Sequence, residues 1–171
     1  MPIQRLNHAV LYVRDVANAV AFYRDVLDFR VVTEMPGQAA FLQAAGSTND
    51  HDLGLFAMGA QAADSPAGRT AVGLYHLAWE VDTLGELRNV RGKLLEHGAL
   101  VGESNHGTTK ALYARDVDGI EFEVCWLVPA DQITDDLKAF KGTTRLDLDA
   151  EVAAYGAHRR GGVGVSVPAL G

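Results

Sequence analysis

Two histidines, His8 and His76, and a carboxylate at Glu121 or Glu123 are the side chains in this 171-residue chain whose types and spacing invite metal chemistry. In an extended strand side chains alternate between faces, so Glu121 and Glu123 share one face and Phe122 and Val124 the other. Two neutral imidazoles and one carboxylate on one side of an ion leave several coordination positions open. Such a set suits Fe(II) or Mn(II) and leaves room for a chelating substrate and dioxygen. A structural zinc site would instead close the ion with four protein ligands, usually thiolates among them, and the chain has a single cysteine, Cys125. A strand histidine taken alone is more often a hydrogen-bonded core residue, and a strand glutamate more often faces solvent. What lifts His8 and His76 above that reading is their coincidence in an internal repeat.

Slid along itself, the sequence matches at one offset: RLNHAVLYV (5–13) lies over GLYHLAWEV (73–81), a shift of 76 − 8 = 68 residues. Each stretch gives way to a helical period, marked by Val16, Val20, Phe22, Tyr23 and Leu27 in the first copy and by Leu84, Leu87, Val90, Leu94 and Leu95 in the second. Each helix ends at a turn residue, Asp28 before FRVV and Gly98 before ALVG. Further strands are expected at 39–44 and 52–58, then at 110–115 and 120–126, the last two joined by a tight Asp118-Gly119 turn. The count is βαβββ twice. The fold expected is therefore α+β, two paired βαβββ modules forming a cup-shaped mixed sheet: residues 1–58, a linker at 59–72, residues 73–128, and a C-terminal extension at 129–171. In the extension, 133–140 and 148–158 have some helical character, whereas the last ten residues are expected to be mobile or held by a partner subunit.

The segments HAVLYVRDVANAVAFYRDVLDF, HLAWEV and RDVDGIEFEV resemble the vicinal oxygen chelate superfamily of glyoxalases, fosfomycin- and bleomycin-resistance proteins and extradiol dioxygenases, over about residues 5–127. In that family's closing motif, Asp-Pro-Asp-Gly-x-x-x-Glu, the ligand comes four positions after the glycine. The resemblance thus implies Glu123 rather than Glu121 as the third ligand with His8 and His76, although Val117 and Ile120 depart from the usual proline and asparagine. The stretch His106-Gly107-Thr108-Thr109-Lys110-Ala111-Leu112-Tyr113 resembles the segment that gives ring-cleaving catechol dioxygenases a histidine and a tyrosine beside the metal. The likeness implies an Fe(II)- or Mn(II)-dependent extradiol dioxygenase acting on a catechol-type aromatic and dioxygen. His106 would hydrogen-bond or protonate the oxygen intermediate, and Tyr113 would steady a substrate oxygen. The plain alternatives are a loop histidine beside glycine and an ordinary strand aromatic. LVPADQ and LDLDAEVAAYG also look like the C-terminal extension of single-domain members, and short members of this family imply a homodimer.

Three rivals stand beside that reading. Glyoxalase-type lyases generally add a carboxylate from the last strand of the first module, where DLGLFAM offers only Asp52. Fosfomycin-type transferases share the two-histidine, one-glutamate set, and only His106 and Tyr113 disfavour them. A metal-free, bleomycin-resistance-like binding protein would not need all three ligands. His51, His97 and His158 receive no catalytic task, and Tyr12, Phe56, Trp79 and Phe122 are candidate pocket walls.

Composition narrows the partners. A net charge of −7 without a long basic run disfavours nucleic acid and anionic membrane surfaces. The first residues lack the pattern of a secretion signal, and Cys125 sits in an apolar run as a buried thiol, so a cytoplasmic location is expected.

Overall fold

A computed structural model describes residues 2–3, 5–67 and 70–162. The expectation for the last ten residues falls, apart from Gly162, outside these. The chain divides into two compact units. One takes in the chain up to Pro66 together with Asp116–Ile120, the other Ala67–Arg115 and the chain from Glu121 onward.

In the first unit the order is β1 (Ala9–Val13), α1 (Val16–Leu27), β2 (Arg30–Met35), β3 (Ala39–Gln43) and β4 (Leu53–Ala57). The strands form one mixed sheet in the order β1-β4-β3-β2, with β1 parallel to β4 and the other pairs antiparallel. Strand alternation decides what α1 covers. Leu11 and Val13 are buried with Val16, Ala19, Val20, Tyr23 and Val26, whereas Val10 and Tyr12 on the opposite face are exposed. Asp15 starts the helix by accepting the Asn18 N–H on its side chain, and Asp28 ends it in the left-handed conformation at φ 56°.

The second unit repeats this plan: β5 (Leu77–Glu80), α2 (Leu84–Glu96), β6 (Leu100–Asn105), β7 (Thr109–Arg115) and β8 (Glu121–Leu127). Its sheet runs β5-β8-β7-β6, again with the outer first strand parallel to the last. Thr83 caps α2 by accepting the Glu86 N–H. Leu84, Leu87, Val90 and Leu94 bury the helix, but Leu95 faces solvent, because an apolar stripe on a helix uses one of two adjacent leucines. The α+β class and the twofold βαβββ plan are as expected.

In the C-terminal extension α3 (Asp135–Ala139) and α4 (Leu148–Tyr155) fall where helical character was expected, and a 3-10 turn at Ala130–Gln132 and the two-residue strand β9 (Thr144–Arg145) come in addition. β9 adds a fifth strand by pairing with β6 at Ser104 and Asn105. A strand of two residues is too short to show alternation, so sequence pattern gives no sign of it. Lys110, almost fully buried on β7, meets Glu151 of α4 at 3.0 Å and donates to Asn105 at 3.0 Å.

The turn between β7 and β8 belongs to the first unit through two contacts. Asp116 accepts a hydrogen bond from the buried Tyr23 hydroxyl at 2.9 Å, and Asp118 accepts from Arg14 at 2.9 Å. Among the described residues no helix is long and apolar enough to cross a membrane.

Candidate functional site

His76 stands one residue before β5, and β5 runs parallel to β8 with Ala78 opposite Glu123. This register brings the His76 Nε2 to 3.3 Å from a Glu123 carboxylate oxygen. Two donors about 2.1 Å from one ion at right angles lie about 3 Å apart, so the pair has the spacing of one edge of a coordination shell. Glu123 is largely buried, and the His76 Nδ1 is buried without a hydrogen-bond partner among the described residues. A buried carboxylate facing an imidazole fits a divalent ion, and equally forms a hydrogen-bonded pair by itself.

His8 lies in the first unit, exposed, just ahead of β1. Its Nδ1 is 2.8 Å from the Asn7 side-chain oxygen, which can only accept. A proton on Nδ1 would satisfy that contact and leave Nε2 the lone pair that a metal would use. The His51 ring is 4.5 Å from that of His8, centroid to centroid, and lies near Asp50 and Phe41. Among the described residues no three His, Cys, Asp or Glu side chains gather as a metal cage.

Tyr113, on β7, is the direct cross-strand partner of Glu123. Burial pushes its phenol up to about 12, helped by the Glu123 charge and by a hydrogen bond to that carboxylate, so the group remains a proton donor at neutral pH. The His106 Nε2 lies 3.0 Å from the Tyr113 hydroxyl, and the His76 ring is 5.8 Å from the Tyr113 ring. His76, Glu123, Tyr113 and His106 thus form one connected group in the second unit.

The neighbours correct or refine several expectations. Glu121 is partly buried and ion-paired with Arg115 at 3.5 Å instead of being a free surface charge. Phe122 is not a pocket wall: it is buried in the core, as its alternation with Glu123 demands. Asp52, the one acidic residue at the start of β4, has both oxygens engaged, by the Ala44 N–H at 2.9 Å, the Ser47 hydroxyl at 2.8 Å and the Asn49 amide at 3.0 Å. Burial raises the Cys125 thiol to about 12, with added repulsion from Glu123 and Glu80, so it is neither a nucleophile nor a ready ligand.

Two site neighbours had no signal in the sequence. Thr143, from the extension, places its hydroxyl 3.0 Å from the His106 Nδ1. The Tyr75 ring lies tilted against that of His76, with centroids 4.7 Å apart and the planes at 58°, and only its adjacency to a candidate ligand could have drawn attention to it. A cavity of about 600 Å³ lined by Arg88, Arg91, Glu103 and Arg145 has none of the candidate site residues in its wall.

Against known proteins, the chain is 31% identical over 119 residues to the catechol-2,3-dioxygenase of Bacillus subtilis (strain 168), a match covering 70% of this chain and 40% of that protein. The chain therefore spans less than half the length of that relative. It is 33% identical over 147 residues to biphenyl-2,3-diol 1,2-dioxygenase 3 of Rhodococcus globerulus, covering 82% of this chain and 73% of the relative. Among solved structures, a lactoylglutathione lyase from Agrobacterium tumefaciens superposes with a TM-score of 0.55 at 26% identity, over 73% of this chain and 95% of that one. Residues 5–124 match one family along most of the two βαβββ repeats, and the chain belongs to the Glyoxalase/Bleomycin resistance protein/Dioxygenase superfamily.

Proposed function

We propose that the protein is an extradiol dioxygenase that opens a catechol-type ring, with His8, His76 and Glu123 holding one Fe(II) or Mn(II). The observation that carries the reading is the connected His106, Tyr113, Glu123 and His76 group, with His106 and Tyr113 at 3.0 Å and His76 and Glu123 at 3.3 Å. The names of the two dioxygenase relatives support the same reaction class. His8 enters on its repeat-equivalence with His76 and on its available Nε2. When bound, the ion would supply a Lewis-acidic centre at which a catechol's vicinal oxygens and dioxygen meet.

The remaining work falls to the chain. Tyr113, protonated at neutral pH, has one proton to donate; it points towards Glu123 in the free chain and turns to a substrate oxygen, which it orients, when substrate is bound. His106, next to it, holds or delivers the proton that the ring-opening sequence moves between substrate oxygens. The overall reaction needs no reductant: catechol plus dioxygen gives a ring-opened hydroxy acid semialdehyde that retains both oxygen atoms. A homodimer and a cytoplasmic location belong to the same reading.

The rival lyase reading calls for a further carboxylate ligand from the first module. Asp52, the candidate, is committed to Ala44, Ser47 and Asn49, which favours the dioxygenase.

The test is anaerobic loading with Fe(II) or Mn(II), then oxygen uptake with a panel of catechols and detection of the ring-opened product by its visible absorbance. Stoichiometric oxygen consumption is expected. Metal-loaded protein that consumes no oxygen with any catechol, yet isomerises a glutathione hemithioacetal, would overturn the proposal.

A further inference from the structure

The C-terminal extension reaches the site through Thr143. Thr143 Oγ1 lies 3.0 Å from the Nδ1 of His106, on the side of the ring opposite Tyr113. The far end of the resulting chain sets its polarity. Tyr113 faces Glu123 across the β7–β8 pair, and a phenolic proton turned towards that carboxylate, an acceptor, leaves the phenol oxygen free to accept. The phenol oxygen then accepts from the Nε2–H of His106. A neutral imidazole with its proton on Nε2 has a bare Nδ1, and only a donor satisfies it there; the Thr143 hydroxyl is that donor.

The rest of the extension holds this end of the chain still. Gly107, at φ 80°, comes after His106, and the Phe140 ring stands 3.0 Å from where a Cβ at Gly107 would be. Asn105, on the other side of His106, accepts the Gly107 N–H at 2.8 Å and the Lys110 ammonium at 3.0 Å, and donates to Glu151 of α4 at 2.9 Å. β9, which begins at the residue after Thr143, is hydrogen-bonded to β6 at Ser104 and Asn105. The backbone on both sides of the Thr143–His106 contact is thereby fixed.

We propose that Thr143 is a positioning residue: its hydroxyl donates to His106 Nδ1 and holds the imidazole in the single Nε2–H tautomer that Tyr113 needs. The proposal rests on the reading of His106 as a site residue, and its consequence is that the extension is part of the catalytic apparatus as well as a cover for the sheet. A chain cut before Thr143 would keep both βαβββ repeats and lose the device.

The test is the side-chain 15N spectrum of His106 in the metal-free full-length chain at alkaline pH, with His106→Gln identifying the signal. Wild type is expected to show one tautomer, with the proton on Nε2. Thr143→Val, which keeps the shape and loses the hydroxyl, should lose the single-tautomer pattern, and Thr143→Ser should restore it. If Thr143→Val does not fold, Thr143→Ala is read in the same way. A wild-type spectrum with the proton on Nδ1, or a Thr143→Val spectrum unchanged from wild type, overturns the proposal.

Oxygen uptake by the metal-loaded variants gives the second readout: a fall in kcat of about tenfold with KM nearly unchanged in Thr143→Val, and rescue in Thr143→Ser. The two readings fail separately. An unlocked tautomer in Thr143→Val alongside a wild type that consumes no oxygen would remove the dioxygenase and leave the positioning role, and the converse pattern would remove the positioning role alone.

Discussion

Tyr113 and Glu123 face each other across the antiparallel ladder of β7 and β8, one of seven consecutive pairs from Thr109 and Leu127 to Arg115 and Glu121. This register decides which of two nearby carboxylates meets the phenol, because a slip of one residue would turn Glu123 to the core face and bring Phe122 or Val124 in its place. It also separates Glu123 from Glu121, which pairs with Arg115 at the strand's end.

From that separation we expect Glu123→Gln to weaken retention of Fe(II) or Mn(II) by more than about tenfold, while Glu121→Gln leaves it unchanged. Metal content after gel filtration of loaded protein measures both. Equal losses in the two variants would contradict the choice of ligand.

Tyr113→Phe removes the hydroxyl that faces Glu123 and lies 3.0 Å from His106. The expected result is a fall in kcat of about a hundredfold with the fold intact by circular dichroism. Because the phenol ionises only at about 12, the activity of the wild type should show no tyrosinate limb at pH values well below that; a limb that disappears in Tyr113→Phe would show that the phenol ionises earlier than its burial implies.

The buried pair of Lys110 and Glu151 anchors α4 to β7. Lys110→Met leaves the Glu151 carboxylate partly buried without its cation, at a cost of about 3 kcal/mol in urea unfolding. Adding Glu151→Gln should recover most of that loss, since Asn105 can still donate to the new side chain. A double variant as unstable as the single would locate the loss in packing of the Lys110 stem instead.

Tyr23→Phe tests the tie between α1 and the β7–β8 turn. Asp116 keeps its two backbone donors, from Asp118 and Ile120, and loses the phenol, for a cost of about 1.5 kcal/mol at neutral pH. Burial raises the Asp116 carboxyl above its ordinary 3.8, and the Tyr23 hydrogen bond pulls it back. The bond favours the ionised form, so its contribution is present above the carboxyl's titration and is lost as pH falls through it. The difference between wild type and Tyr23→Phe should therefore shrink in acid, and a difference independent of pH would show that the phenol does not act through the carboxylate.

Cys125 should fail to react with a thiol reagent in the native protein at pH 8 and react readily in urea, because its thiol is held up to about 12 by burial. Burial favours the protonated thiol, so its contribution to stability is complete below the unfolded value of 9.0 and is lost as pH rises from there towards 12. Rapid labelling of native protein would mean that β8 opens locally.

Period and repeat make the twofold βαβββ plan legible in the sequence, because alternation and helical spacing are local consequences of which side chains must be buried. The 68-residue offset (76 − 8) likewise sets His8 and His76 in equivalent positions. Glu123, His106 and Tyr113 were legible only through their likeness to a family motif, since spacing alone left Glu121 and Glu123 equal. What the tertiary structure decided was pairing: the register that sets Tyr113 against Glu123, the burial of Lys110 beside Glu151, and the arrival of Thr143 at the far nitrogen of His106, 37 residues away in sequence. Such contacts have no sequence signature, because a lone threonine in a polar segment carries no period, and its partner is chosen by where the chain returns.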